Sequence, residues 1–374
     1  MRVERHLKDL EEQTLFLNMG PQHPSTHGVL RVVLKMDGEY IEEAEPVLGY
    51  IHRMHEKMGE NRTYAQYLPN LGRIDYLSAL IFSQGYVCAV EKLAGIVPPP
   101  RAEYIRVIAC ELNRISSHLL WFGAYVLDLG GFTPFLYSFD DREQLLDLLE
   151  SVTGSRLTYC YFRFGGVNRD ITDDFIAGTR AFIKRLRLRL PMYEALVTKN
   201  VIFINRVKGV GIITPEAALR YGCTGPVARG AGIKYDIRKT EPYSAYPEFD
   251  FDIPVASGCD AMARYIVRML EMEQSMRIIE QALDKLPEGP IMVPKVPKKV
   301  KPPKGDVYFA VEAARGEFGT YIVSDGTDTA YRIKLRTPGF SNLSIFQEIS
   351  QGLLLADAVS TMGSLDLVIP EIDR

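Results

Sequence analysis

The sequence predicts an α+β fold: a central helical bundle with small antiparallel β regions at the N- and C-terminal ends. Three observations predict it. Residues before Tyr76 alternate in hydropathy, residues from Tyr76 to about Asn200 place apolar side chains at helical spacing, and strand-like segments return after residue 305. At about 150 residues per domain, 374 residues suggest two to three domains or one large domain with insertions. The composition shifts divide the chain into an N-terminal β region (1–75), a helical core (76–286), a Pro/Lys-rich loop (287–305) and C-terminal strands with a helix (306–374).

In chain order, LFLNMG and VLRVVLKMDGEYIEEAEPVL read as strands, with a hairpin turn at Asp37-Gly38. Helices follow near 77–94, 102–127, 141–153 and 172–198. Thr214-Pro215 and Gly222 bracket a short helix, and Asp260 to Leu286 reads as a longer one. PEGPIMVPKVPKKVKPPKG has six prolines, which forbid a helix, and a local lysine cluster. It is either a solvated connection or a contact for an acidic partner or lipid headgroups. VYFAVEAA, GTYIVSD and TAYRIKLR then read as strands separated by the turn residues GEFG and DGTD, and a last helix runs from about Asn342 to Met362. With strands at both ends, the terminal parts are expected to meet.

The composition excludes several function classes. Apolar residues at 47% and charged residues at 24% are those of an ordinary globular protein. A net charge of -3 gives no field favouring nucleic acid as a partner. The five cysteines are scattered, with no pair at metal or redox spacing, which reads as a reducing compartment. The charged start MRVERHLKDLEEQ lacks an apolar secretion signal, which points to the cytoplasm. The longest uncharged runs, Tyr76–Val90 and Ile115–Leu127, fall short of the roughly 18 residues a membrane span needs. Work at a membrane would therefore mean docking there.

Phosphate-binding loops and a GxSxG elbow are missing from the sequence. His23 with His27 and His52 with His55 have spacings seen in metal sites. In GPQHPSTHG, however, Pro21 and Pro24 preclude the helix that would place the first pair on one face, so no metal site is expected there. The segment reads instead as a tight polar loop between strands, a common place for binding groups. Asp128 stands in the apolar stretch LLWFGAYVLDLGGFTPFLYSF without a nearby cation. It either ends a helix beside Gly130 and Gly131 or pairs with a histidine from elsewhere in the fold.

Ordered blocks run nearly the whole length of the chain: GPQHPSTHGVLR, GYIHR followed by EK, GRIDYLS, ELNRISSHLLWFGAYVLDLGG, RFGGV, TGPVARG, FDFDIP, GEFGTYIVSDG and the terminal EIDR. Together they resemble the quinone-site subunit family of respiratory complex I, the proton-translocating NADH:quinone oxidoreductase. That family is similar to the large subunit of nickel–iron hydrogenases, which implies a hydrogenase large-subunit-like fold. The hydrogenase cysteine pairs would fall at Asp75 and Ser78 and at Val368 and Glu371. Without thiolates nickel lacks its soft ligands, so the resemblance leaves the former metal cavity free for a quinone headgroup.

Residue by residue, the resemblance implies that His27 and Tyr76 contact the quinone and that Asp128 pairs with His27, making these three the catalytic set. His23 is implied as a second quinone-binding histidine. Arg53 and His118 are implied to tune an iron–sulfur cluster held by a partner subunit, the alternatives being an interface ion pair for Arg53 and a satisfied core histidine for His118. Reduction needs two electrons and two protons, and an imidazolium with a phenol can donate at the two carbonyls. The chain itself is expected to bind no cofactor and no metal; quinone is the substrate. The implied partners are the cluster-bearing B subunit, the C subunit, the ferredoxin-like I subunit and the membrane-embedded H subunit, with this chain peripheral on the cytoplasmic side of the cell inner membrane. The resemblance extends to ferredoxin-fed complexes and to all quinone types, and the nearest alternative is the large subunit of a ferredoxin- or F420-linked or hydrogenase-like membrane complex. Two departures stand out: Met54 and His55 follow GYIHR where the family commonly has glycine, and Pro370 replaces the usual glycine before EIDR.

Overall fold

A computed structural model describes residues 2–5, 15–23, 28–295 and 299–374. The N-terminal sheet has the order β1 (Arg2–Arg5), β2 (Leu15–Met19), β3 (Arg31–Asp37), β4 (Tyr40–Val47), all antiparallel. Alternation works here as read from the sequence: Val32, Leu34 and Met36 face inward, and Gly38 at φ 58° turns the hairpin. Two short helices, α1 (His55–Glu60) and α2 (Tyr64–Leu71), precede the bundle, and the Thr63/Gln66 capping box starts the second.

The bundle is built on α3 (Ala79–Ala94), α4 (Pro100–Asp128), α5 (Phe132–Thr153), α6 (Asp173–Tyr193) and α11 (Ala261–Asp284). Between α5 and α6 lies a two-residue ribbon of β5 (Phe162–Arg163) and β6 (Gly166–Val167). Helix α6 passes through one π turn, Glu194–Thr198, just after Pro191. The region before α11 is filled by α7 (Val201–Val207), α8 (Pro215–Arg220), α9 (Gly225–Gly230) and α10 (Ile237–Thr240). The Asp260 carboxylate caps α11 by accepting the Ala263 N–H at 2.8 Å.

The C-terminal sheet has the order β7 (Gly305–Ala313), β8 (Gly316–Ser324), β9 (Arg332–Arg336) and packs on α3, where Phe82 and Phe318 stack at 3.9 Å. The GEFG segment, expected as a turn, is the start of β8; the reversal is the two-residue Ala314-Arg315. Its glycines mark close approaches instead. A Cβ on Gly316 would stand 2.5 Å from Thr224 Oγ1, and one on Gly319 would stand 2.2 Å from Tyr308 Oη.

The single last helix expected from Asn342 to Met362 is likewise replaced by α12 (Pro338–Ser344), α13 (Phe346–Ile349), α14 (Leu355–Leu365) and α15 (Ile369–Asp373). The break at 350–354 pairs with β4: Ile41 N–H donates to Leu353 O at 2.9 Å and Gly352 N–H to Ile41 O at 2.7 Å. The chain ends do meet. Leu34, Val227, Leu343 and Ile372 share a second core distinct from that of the bundle. Among the described residues no helix is long and apolar enough to cross a membrane.

Two polar stripes run inside the bundle. Helix α4 carries Glu111, Arg114 and His118 three and four residues apart, all buried. Helix α11 runs antiparallel beside it with Arg264, Arg268, Glu271 and Ser275. The stripes join where Ser275 Oγ donates to Glu111 at 2.6 Å and His118 Nε2 meets Glu271 Oε2 at 2.9 Å.

Candidate functional site

Four chain segments carry the residues that the resemblance singles out and the buried groups beside them; the turn with Tyr76 packs on the middle of α4, where Asn113 donates to Leu77 O at 2.9 Å and accepts the Leu80 N–H at 3.1 Å. The first is the loop after β2: the backbones of His23 and Gly28 bridge its neck, and a Cβ on Gly28 would stand 3.0 Å from Ile369 of α15. His23 is half-buried there. His27 lies outside the described residues, so its expected contacts with quinone and with Asp128 have no counterpart in the geometry.

The second segment is the turn between α2 and α3. Asp75 accepts the Leu77 and Ser78 N–H groups at 2.9 and 3.1 Å, a side-chain cap that fixes the turn and leaves Tyr76 half-buried. Burial pushes the Tyr76 phenol up, the Arg315 guanidinium opposes that, and the Asp75 and Asp366 carboxylates add to it. The third is Asp128, the last residue of α4 and half-buried. A Cβ on Gly363 would stand 3.7 Å from its Oδ2, so the carboxylate lies against α14.

The fourth is the C-terminal segment with the hairpin tip between β7 and β8. Arg315 at that tip is fully buried and donates to Asp75 Oδ2 at 2.9 Å, Ser78 Oγ at 3.3 Å and Asp366 Oδ1 at 3.2 Å. Asp75, Ser78 and Glu371 are three of the four positions where the resemblance puts hydrogenase cysteines. Around these positions stand a guanidinium and carboxyl groups, all buried, and no thiolate. Arg315, Asp366 and Arg268 are not singled out by the sequence. Two arginines and an aspartate without a motif carry no local signal, and Arg315 sits next to glycines that read as a turn.

Arg53 lies on the surface, its guanidinium donating to Arg73 O at 2.8 Å. Its loop is held by the terminal EIDR block. Asp373 accepts Gly49 N–H at 2.7 Å and Ile51 N–H at 2.9 Å, and His52 Nδ1 lies 2.6 Å from Asp373 O, so that nitrogen carries the proton. A cleft of about 320 Å³ opens here, lined by His52, Met54, Lys57, Arg332, Asp373 and Arg374 among others. Met54 takes the left-handed backbone at φ 54°, ψ 40°, a conformation that costs a non-glycine residue about 1–2 kcal/mol. His55 beside it is buried with neither ring nitrogen on a protein partner. Burial, then the charges of Arg53 and His52, bring it down to about 4. Pro370 sits in the first turn of α15, where proline fits a helix start.

His118 is placed elsewhere. It is ten residues before Asp128, about 15 Å along α4, and fully buried. Its partner Glu271 also receives Arg229 Nε at 2.8 Å, Arg229 reaches Glu312 at 2.8 Å, and Arg238 links Asp236 at 2.6 Å to Glu111 at 3.1 Å. The Arg229 and His118 contacts hold Glu271 well below the usual carboxylate range, and burial lowers His118. This is the geometry of a core histidine locked into an ion network. Among the described residues no three His, Cys, Asp or Glu side chains form a metal-binding group, and all five cysteines are free thiols.

Comparison with known proteins gives a consistent result. Residues 128–299 and 295–374 match the family described as the 49 Kd subunit of respiratory-chain NADH dehydrogenase. The chain is 66% identical over 372 residues to the D subunit of NADH-quinone oxidoreductase from Desulfotalea psychrophila, covering 100% of both sequences. It is 63% identical to the same subunit of Syntrophobacter fumaroxidans, over 99% of this chain and 100% of that one. For Geobacillus kaustophilus the identity is 50%, over 97% and 99%.

Proposed function

Because the chain belongs to the family of the 49-kDa subunit of respiratory-chain NADH dehydrogenase, and so is a subunit of an NADH:quinone oxidoreductase, we propose that it forms the quinone headgroup site of that complex. Electrons arrive from an iron–sulfur cluster in the partner B subunit. Tyr76 donates one proton to a quinone carbonyl, His27 donates the other, Asp128 favours the charged imidazole, and His23 lines the same loop. Arg53 faces the cluster-bearing partner from the loop held by Asp373. The C, I and H subunits complete the surroundings, with the chain lying peripherally on the cytoplasmic side of the inner membrane. The observation that supports this reading is that α15 packs on the loop neck at Gly28 through Ile369 and carries Glu371 into the buried Arg315 cluster that holds Asp75, next to Tyr76. The thiolate-free cluster of Asp75, Ser78, Arg315 and Glu371 speaks against the hydrogenase-like alternative.

A phenol with its acidity weakened by burial is a hydrogen-bond donor that gives up its proton only to a strongly basic, reduced product. That order protects the site from idle deprotonation. The experiment is quinone reduction by the assembled complex carrying Tyr76→Phe, beside electron transfer to an artificial acceptor. We expect quinone reduction to fall by about 10²–10⁴-fold with electron input unchanged. An assembled Tyr76→Phe complex that reduces quinone at the wild-type rate would falsify the assignment.

A further inference from the structure

Two anchors from distant parts of the chain hold the turn that carries Tyr76. From α4, Asn113 donates to Leu77 O at 2.9 Å and accepts the Leu80 N–H at 3.1 Å, which fixes the residues that follow the tyrosine. From the hairpin tip between β7 and β8, one terminal nitrogen of Arg315 donates to Asp75 Oδ2 at 2.9 Å and to Ser78 Oγ at 3.3 Å. The other oxygen of Asp75 accepts the Leu77 and Ser78 N–H groups at 2.9 and 3.1 Å. Tyr76 therefore stands between two clamped neighbours, Asp75 before it and Leu77 after it.

Arg315 is itself a fixed post. Its carbonyl accepts the Asn342 side chain of α12 at 3.3 Å, and a Cβ on Gly225 would stand 2.5 Å from that carbonyl, so the tip is wedged against the start of α9. Ser78 and, one turn on, Phe82 of α3 meet Arg315 and Phe318 of the hairpin, which keeps the tip in register with the helix. The second terminal nitrogen of Arg315 donates to Asp366 Oδ1 at 3.2 Å, in the link between α14 and α15. Arg315 and Asp75 are fully buried, where a charge-assisted hydrogen bond is stronger than at the surface. A planar guanidinium can span two carboxylates; the ammonium of a lysine is a single point charge.

We propose that Arg315 is a positioning residue for the headgroup tyrosine, acting through Asp75 to hold the Tyr76 turn where the phenol can donate to a quinone carbonyl. The inference rests on the reading of Tyr76 as a headgroup donor. The Asp75 cap is made within three residues, so it shapes the turn without fixing where the turn stands in the fold. The ion pair to Arg315, 240 residues away, supplies that fix on the side that precedes Tyr76, as Asn113 does on the side that follows it. Donor placement matters because a displacement of about 1 Å at a reacting group can cost about 10²-fold in rate.

The test uses assembled complexes carrying Arg315→Lys, Tyr76→Phe and both changes. Arg315→Lys keeps the positive charge and loses the fork. Its kcat for quinone should fall about 10²-fold, no further than in Tyr76→Phe, while KM and electron transfer to an artificial acceptor stay near their wild-type values. The double variant should be no slower than Tyr76→Phe alone, because a residue that acts through the phenol has nothing to act on once the phenol is gone. A purely structural role would multiply the two losses in the double variant, and that outcome overturns the proposal, as does a wild-type kcat in Arg315→Lys. Asp75→Asn reaches the same ion pair from its other partner and serves if Arg315→Lys does not assemble. Its amide oxygen still accepts the Leu77 and Ser78 N–H groups, but no charge faces Arg315. It should lose kcat in the same way, with no further loss on Tyr76→Phe; a wild-type kcat there overturns the proposal too. If Tyr76→Phe is slow and Arg315→Lys and Asp75→Asn are not, Arg315 alone loses its role. If Tyr76→Phe reduces quinone at the wild-type rate, the headgroup reading fails and this inference with it.

Discussion

His55 shows how far one side chain can depart from what its spacing suggests. Three residues after His52, it has the pattern of a metal ligand, yet its ring is turned into the protein and both nitrogens lack protein partners. Folding holds the neutral imidazole, since the charged form would be buried next to Arg53 and His52. A histidine whose folded value lies below its unfolded value of about 6.5 contributes stability that is present above 6.5 and is lost as pH falls towards about 4. Thermal unfolding of the complex followed from pH 7 to pH 4 should therefore be less steep in His55→Leu than in the wild type. His118, lowered in the same direction, keeps the residual slope. Identical slopes for the two proteins would show that the ring is not held neutral by its surroundings. Met54 illustrates the companion point, that a non-glycine residue can hold a left-handed loop conformation that favours glycine.

At the level of elements, apolar content locates the bundle well because α3 and α4 are long helices buried almost all round and α11 buries one long face. What spacing does not read is the buried polar stripe inside those faces. Arg114 and His118 on α4, with Arg268 and Glu271 on α11, resemble solvent-facing residues in a sequence and are fully buried in the fold, because each has a buried partner: Glu111 for Arg114, Asp366 for Arg268, and one another for His118 and Glu271. The GEFG glycines mislead for a related reason: glycine marks backbone crowding as often as reversal, and crowding depends on a neighbour distant in sequence. The candidate site is legible as residue types, Tyr76 and Asp128 above all, through resemblance; the cluster that surrounds Tyr76 is not, since Arg315 is 240 residues from Asp75. If the stripes are one network, Glu271→Ala should cost about 3–5 kcal/mol by leaving Arg229 and His118 without their shared carboxylate. Denaturation of the complex, read on this subunit by hydrogen exchange of α4 and α11 amides, measures the loss. An effect below about 1 kcal/mol would mean the neighbouring carboxylates Glu312 and Asp236 absorb the change.

For the whole molecule, the last residues of the chain connect regions that the sequence keeps apart. Ile369 meets the neck of the loop after β2, Glu371 lies in the Tyr76 cluster, and Asp373 holds the GYIHR loop by two backbone N–H groups. Five consecutive residues thus reach both proposed ends of the electron path, the quinone side and the face of Arg53. Asp373 is the point where this arrangement can be broken without touching Tyr76. Hydrogen bonds to a charged acceptor contribute about 1.5–3 kcal/mol each, and Asp373→Ala removes two of them. The Gly49 and Ile51 amides should then lose their exchange protection in the assembled complex, and the loop should become open to proteolysis next to Arg53. Quinone reduction should fall less than in Tyr76→Phe, because the headgroup donors stay in place while the Arg53 loop does not. Protection of Gly49 and Ile51 at the wild-type level in Asp373→Ala would show that the loop is held by α1 and β9 alone, and that α15 packs against the fold without organising it.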